Sequence, residues 1–82
     1  MFEIKLCRTK AVISVKPVKQ ITLRLEKLTE IFPVVVQTPV ASVLTIDDDQ
    51  VIVHAYGEIF FKKLRDEARI SEIAQEIYRI TT

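Results

Sequence analysis

The first segment with helical spacing of apolar residues runs from Val18 to Phe32. Its apolar positions recur every three or four residues, which predicts one hydrophobic stripe along a helix. Pro17 precedes the segment, where a proline suits the first helical turn. Pro33 follows it and disfavours helical geometry at the residue before it. The pattern therefore predicts a helix over Val18–Phe32.

A second helix is predicted over Asp66–Ile80. Its apolar stripe consists of Ile70, Ile73, Ile77 and Ile80, and the small Ala74 beside it allows close packing. Asp66 is a suitable N-cap because its carboxylate can accept hydrogen bonds from the first free backbone N–H groups.

Strand patterns occupy most of the remaining chain. Phe2–Cys7 alternates apolar and polar residues, and Ala11–Val15 is also strand-like. These two segments could form a hairpin or one long bent strand, although no Gly, Asn or Asp lies between them to favour a tight turn. Further strands are predicted at Val34–Val36, Val40–Ile46, Gln50–Ala55 and Glu58–Lys63.

Two turns are predicted between the later strands. Asp47, Asp48 and Asp49 form a run of carboxylates that we expect to stay in solvent. Tyr56 and Gly57 are predicted to be the central pair of a two-residue turn, with positive φ at Gly57. Period-two alternation should place Val51, Val53 and Ala55 on one face and Ile52, His54 and Tyr56 on the other.

These elements predict one α+β domain over residues 1–82. The expected order is β-α-β-β-β-α, with a two-layer arrangement of a mostly antiparallel curved sheet and two helices packed on one face. The chain ends at Thr82 without the final strand that a ferredoxin-like fold requires.

Residues 31–80 resemble one repeat of the TATA-binding protein fold. The resemblance is carried by Ile31-Phe32-Pro33, the strand Val51–Tyr56, Gly57-Glu58-Ile59 and the closing helix with Glu76-Ile77-Tyr78. It implies that fold and pairing into a saddle-like dimer. The chain departs from the family at Glu58, where the family has lysine, and it contains one repeat where the DNA saddle needs two. No DNA-binding residue is carried over.

Composition and charge bear on the cellular compartment and on contacts with nucleic acid. The single cysteine, Cys7, excludes an intramolecular disulfide, and we expect it to be buried at a strand end in a cytoplasmic protein. No apolar run is long enough for a membrane span. Residues 1–27 hold seven basic and two acidic side chains, so phosphate contacts are possible there. The candidate nucleic-acid contacts are Lys5, Arg8, Lys10, Lys16, Lys19 and Arg24.

No combination of residues predicts catalysis or a cofactor. His54 is the only histidine, and a catalytic histidine needs a positioned partner that the sequence does not identify. Cys7 and His54 lack the spacing of metal ligands, and the aspartate run lacks the alternation and glycine of a calcium loop. The sequence therefore predicts a non-enzymatic protein without a metal or cofactor.

The strand containing Phe60 and Phe61 carries the main functional indication. Successive residues point to opposite faces, so one of these rings should lie on a face that the helices leave uncovered. Exposed apolar sheet surface of this kind marks association sites. We expect a protein-interaction module, acting as a homodimer through Ile52, His54, Phe60 and Phe61. The alternative is a nucleic-acid-binding domain related to a TATA-binding-protein repeat.

Overall fold

The structure is a computed structural model that describes residues 3–9 and 11–82. It contains six strands, one short 3₁₀ helix and one α-helix in an α+β arrangement. The strands are β1 (Ile4–Arg8), β2 (Ile13–Pro17), β3 (Val34–Gln37), β4 (Ala41–Ile46), β5 (Asp49–His54) and β6 (Ile59–Phe61); the 3₁₀ helix is Leu25–Glu30 and α1 is Glu67–Thr81.

The strands form one antiparallel sheet in the order β1-β2-β6-β5-β4-β3. The strands from β3 to β6 follow one another as a meander, and β6 pairs with β2 of the N-terminal hairpin. As a result, β1 and β3 lie at opposite edges, roughly 24 Å apart at the usual strand spacing.

The core lies between one face of the sheet and the layer formed by α1 and the 3₁₀ helix. Alternate residues of the central strands point into it and are buried, including Val51 and Val53 of β5 and Ile59 and Phe61 of β6. The buried face of α1 is Ile70, Ile73, Ala74, Ile77, Tyr78 and Thr81. The predicted C-terminal helix is thus confirmed, and Asp66 is its N-cap, accepting from the backbone N–H groups of Ala68 and Arg69.

The prediction of a helix over Val18–Phe32 is wrong in extent, since only Leu25–Glu30 is helical and it forms a 3₁₀ helix. The chain is extended before the 3₁₀ helix, where the N–H of Leu23 donates to the carbonyl of Ala55 and the N–H of Arg24 donates to that of Thr81. Leu23 and Leu25 are buried while Arg24 between them is exposed, which is the alternation of an extended segment. The domain therefore has one main helix, and the two-helix order is not found.

The alternative left open at the N-terminus is resolved in favour of a hairpin. β1 pairs with β2 from Ile4 opposite Pro17 to Arg8 opposite Ile13. A threonine side chain organises the turn: Thr9 Oγ1 accepts from the N–H groups of Ala11 and Val12 and donates to the Val12 carbonyl. Thr38 makes the corresponding bonds to Val40 and Ala41 in the β3–β4 turn. A hydroxyl thus replaces the expected glycine or asparagine.

The two remaining turns differ in part from the predictions. Asp47 and Asp48 have φ of 51° and 62°, so they are the central pair of the tight β4–β5 turn. Gly57 has a φ of +113°, and its positive sign confirms that prediction. Gly57 is not in the central pair, however, because its N–H donates to the carbonyl of His54, which makes Ala55 and Tyr56 the central residues.

Candidate interaction face

Among the residues that the structure describes, no helix packs on the second face of the sheet, and we call this face the open face. Its middle row crosses all six strands through directly paired residues. The row consists of Cys7, Ser14, Phe60, Ile52, Val43 and Val36. Its four members from β6 to β3 are apolar, and each is half-buried or exposed. No other described residue covers them. The sheet therefore presents a continuous apolar band about four strands wide.

A group of aromatic and basic side chains lies beside this band, and we call Lys5, Lys16, His54, Tyr56 and Phe60 the basic–aromatic patch. Its ring centroids lie close together, with 5.0 Å between His54 and Phe60 and 5.2 Å between His54 and Tyr56. Lys5 and Lys16 are paired directly across β1 and β2. The patch extends from β1 across β2 and β6 to His54 at the end of β5.

Glu58 connects the members of the patch. Its Oε1 accepts the hydrogen bond of the Tyr56 hydroxyl at 2.8 Å, and its Oε2 lies 3.6 Å from Lys16 Nζ. The hydrogen bond to this carboxylate raises the pKa of Tyr56 above its usual value. The Glu58 carbonyl oxygen is 3.2 Å from His54 Nδ1, and since a carbonyl can only accept, Nδ1 carries the proton of this hydrogen bond.

The opposite half of the sheet ends in an uncharged edge strand. β3 has the sequence Val34-Val35-Val36-Gln37 and pairs only with β4. Six large hydrophobic side chains are exposed among the described residues, and four of them lie on or beside this strand. These four, which we call the apolar edge, are Ile31, Val35, Val36 and Val40. A bulge between Val34 and Val36 gives β3 one residue more than the facing stretch of β4.

The predicted interface residues fall on both sides of the sheet. Ile52, His54 and Phe60 lie on the open face. Phe61 lies on the covered face and is fully buried in the core, so it is not available to a partner. The alternation within Phe60-Phe61 was predictable, but which ring faces the helix could be known only from the packing.

The predicted basic contacts are also divided. Lys5 and Lys16 belong to the open face, whereas Arg8 forms an ion pair with Glu67 of α1 at 2.9 Å. Lys19 and Arg24 are exposed in the extended segment before the 3₁₀ helix. Lys10 lies outside the described residues. The structure thus brings together two of the six candidates, and it adds the aromatic residues His54, Tyr56 and Phe60 beside them.

Cys7 and His54 do not form a pair. They lie on β1 and β5, which are three strand spacings or roughly 14 Å apart. The expectation that Cys7 is buried is wrong, since its side chain is exposed on an edge strand. Among the described residues, no group of three or more His, Cys, Asp or Glu side chains is arranged to hold a metal ion.

The aspartate run does not lie wholly in solvent. Asp47 binds Arg69 of α1 through two hydrogen bonds of 2.6 and 3.1 Å, and this contact lowers the pKa of Asp47. Asp49 is buried, and its Oδ2 accepts the N–H of Leu64 at 3.0 Å. The run therefore connects the β4–β5 turn to α1, and the first residue of β5 to the loop before α1.

One structural contact was not visible in the sequence pattern. Tyr78 of α1 is fully buried, and its hydroxyl donates to the Gly57 carbonyl at 2.7 Å. Burial raises the pKa of Tyr78, and the negative charge of Glu58 adds to the effect. This bond anchors the β5–β6 turn, and with it the aromatic rings of the patch, to the helix layer.

No protein-family model, no curated protein and no solved structure matches the chain. The resemblance to a TATA-binding-protein repeat stays a prediction. Within the described residues, no helix has both the length and the apolar character needed to cross a membrane.

Proposed function

We propose that the protein is a non-enzymatic interaction module that forms a homodimer through the apolar edge. The observation that carries the proposal is the concentration of exposed aliphatic side chains at β3, together with the lack of any charge on that strand. Edge strands in soluble proteins commonly carry lysine or another charge that prevents pairing with a second sheet. β3 has valines at the positions where such a charge would act.

The contact is a short antiparallel pairing of β3 with β3 of a second copy. Pro33 and Pro39 flank the strand and the bulge lies within it, so few backbone hydrogen bonds can form between copies. The side chains of the apolar edge therefore supply most of the binding energy, and Val43 and Ile52 extend the apolar surface toward the centre of the open face. Two β3 strands meeting in this way do not bring like charges together.

The proposal is tested by sedimentation equilibrium over roughly 10 µM to 1 mM protein, the range in which a small apolar interface associates. We expect a concentration-dependent monomer–dimer equilibrium. Val35→Lys should shift it to monomer. At a concentration at which both proteins are monomeric the melting temperature should be unchanged, because Val35 is 56% exposed in the monomer.

Val18→Lys is the matched control, since Val18 is 59% exposed and lies far along the chain from β3, directly after β2. It introduces the same charge and should leave the dimer intact. A protein that stays monomeric at the highest concentration would refute the proposal, and equal effects of the two lysines would show that the contact is not at β3.

A further inference from the structure

The rings of the basic–aromatic patch are held in place before any ligand binds. Tyr56 is 58% exposed, yet its hydroxyl is fastened to Glu58, and His54 is fastened to the carbonyl of the same residue. Phe60 stands edge-on to His54, with an interplanar angle of 68°. Exposed rings with restricted motion lose little conformational entropy when a flat ligand stacks on them.

Two lysines face each other beside these rings. Lys5 and Lys16 lie directly opposite each other on neighbouring strands, an arrangement of like charges that is destabilising. Glu58 lies near Lys16, but Lys5 forms no ion pair with another described residue. Lys62 follows β6 on the other side of Phe60 and is also exposed, in a pocket that it lines together with Lys63, Asp48 and Asp49. The rings are therefore bordered by Lys5, Lys16 and Glu58, with the exposed Glu3 two residues from Lys5. An anionic ligand would relieve the repulsion between Lys5 and Lys16.

We propose that the basic–aromatic patch binds single-stranded nucleic acid. Unpaired bases would stack on Tyr56 and Phe60, and Lys5, Lys16 and Lys62 would contact the phosphates. Stacking platforms bordered by basic side chains are the general solution for binding single strands without sequence preference. A duplex fits less well because its base faces are hidden in the stack, so the rings would have no partner. The inference does not depend on the homodimer, since the patch and the apolar edge have no residue in common and Lys5, Lys16 and Lys62 lie on β1, on β2 and after β6.

The direct test is fluorescence anisotropy with a labelled oligo(dT) strand of about 12 nucleotides, a length within the site sizes of comparable platforms. With three phosphates contacted, raising NaCl from about 50 mM to about 200 mM should weaken binding roughly 20-fold. A mixed-sequence duplex of the same length, measured beside a single strand of the same sequence, should bind at least about tenfold more weakly at the higher salt.

Two sets of variants separate stacking from charge. Tyr56→Leu and Phe60→Leu remove the rings and keep apolar side chains, and each should weaken binding by about fivefold or more. Changing Lys5 and Lys16 together to glutamine should reduce the slope of the logarithm of the binding constant against the logarithm of salt concentration. The reduction should correspond to the loss of about two phosphate contacts. The matched control changes Lys27 and Arg79 to glutamine, because these residues lie on the 3₁₀ helix and α1 and the charge removed is the same.

Several outcomes would overturn the inference. One is the absence of binding at the lower salt by protein that is folded by circular dichroism. Another is equal affinity for the strand and the duplex, with both ring variants unaffected, which would mean attraction to charge alone. Competition by poly-glutamate as effective as competition by the oligonucleotide would assign the patch to an acidic protein instead. Sedimentation of the same samples measures dimer formation independently of nucleic-acid binding. The dimer proposal can therefore fail while the nucleic-acid proposal holds, and the reverse.

Discussion

At Gly57 the backbone conformation and the packing both exclude a side chain. The φ of +113° lies in the region that residues with a Cβ atom rarely adopt, and a Cβ built at this position would lie 2.8 Å from Cγ of Pro17. The carbonyl of the same residue accepts the Tyr78 hydroxyl bond. One glycine thus allows the β5–β6 turn to approach both β2 and α1.

Gly57→Val should destabilise the protein by about 1–3 kcal/mol because the turn becomes strained. Urea denaturation measures the loss. Gly57→Ala, made with and without Pro17→Ala, separates the two causes: the steric part should diminish in the double variant, whereas the part due to φ should remain. An unchanged urea midpoint for Gly57→Val would contradict the turn geometry.

Tyr78 should make the protein sensitive to alkali. Its pKa is raised in the folded state, so the fold favours the protonated phenol, and this contribution to stability is complete below the unfolded pKa of about 10. The contribution is lost as the pH rises above that value. Denaturation curves from about pH 8 to 11 should show a falling free energy of unfolding. Tyr78→Phe should make this fall with pH less steep.

At neutral pH the same variant should cost about 1–2 kcal/mol, because the Gly57 carbonyl loses its buried donor. Tyr56 also has a raised pKa and remains in Tyr78→Phe, so some alkaline loss should persist. Identical pH profiles for the two proteins would show that the Tyr78 hydroxyl is not held in the folded state.

At the scale of elements, the β4–β5 hairpin turns through two aspartates with positive φ. Asp tolerates this region better than most residues, but glycine adopts it without strain. Asp48 is exposed, whereas Asp47 binds Arg69. Asp48 is therefore the position at which the backbone preference can be changed without removing that contact.

Asp48→Gly should stabilise the protein by about 0.5–1 kcal/mol, and Asp48→Ala should destabilise it because alanine is poorly suited to a φ of 62°. Thermal and urea denaturation of the two variants measure whether each change raises or lowers the free energy of unfolding. Both variants remove the same carboxylate, so each is a control for the loss of charge in the other. Destabilisation by glycine would show that the turn does not have this conformation.

The elements also show how far the sequence could predict the fold. The C-terminal helix was predictable because its apolar spacing agreed with its N-cap. In Val18–Phe32 the helical spacing conflicted with a second pattern, the alternation of Leu23 and Leu25 with exposed neighbours. That segment contains β-branched residues, and Arg24 provides no side-chain cap for the 3₁₀ helix. Backbone hydrogen bonds to the β5–β6 turn and to α1 therefore determined the outcome.

The open face was only partly predictable for a related reason. Alternation separated Ile52 and His54 from Val51 and Val53, as the structure shows. It could not show that β6 would return beside β2, which is the pairing that brings Lys16 next to Glu58 and Ser14 next to Phe60. That pairing joins residues more than forty positions apart, and no local spacing encodes it.

At the scale of the whole molecule, the two proposed sites include opposite edges of one sheet, with the apolar edge at β3 and Lys5 of the patch on β1. Cys7 belongs to β1, two residues from Lys5, and is therefore beside the basic–aromatic patch and far from the apolar edge. Because Cys7 is the single cysteine of the chain, the reactivity of its thiol reports whether the surface beside β1 is covered, and not whether β3 is covered. A dimer formed through β3 leaves its thiol accessible, whereas a face-to-face dimer would cover the middle row to which Cys7 belongs.

The rate of alkylation of Cys7 by iodoacetamide, followed by mass spectrometry, distinguishes these arrangements. We expect the same rate at about 10 µM and about 1 mM protein, although the proposed dimer should form at the higher concentration. Saturating oligo(dT) should slow the reaction because a strand across Lys5 and Lys16 restricts access to β1. The reagent is uncharged, so the bound phosphates do not repel it. Protection that rises with protein concentration and disappears in Val35→Lys would place the dimer contact on the open face, and an unchanged rate with bound oligonucleotide would move the strand away from Lys5.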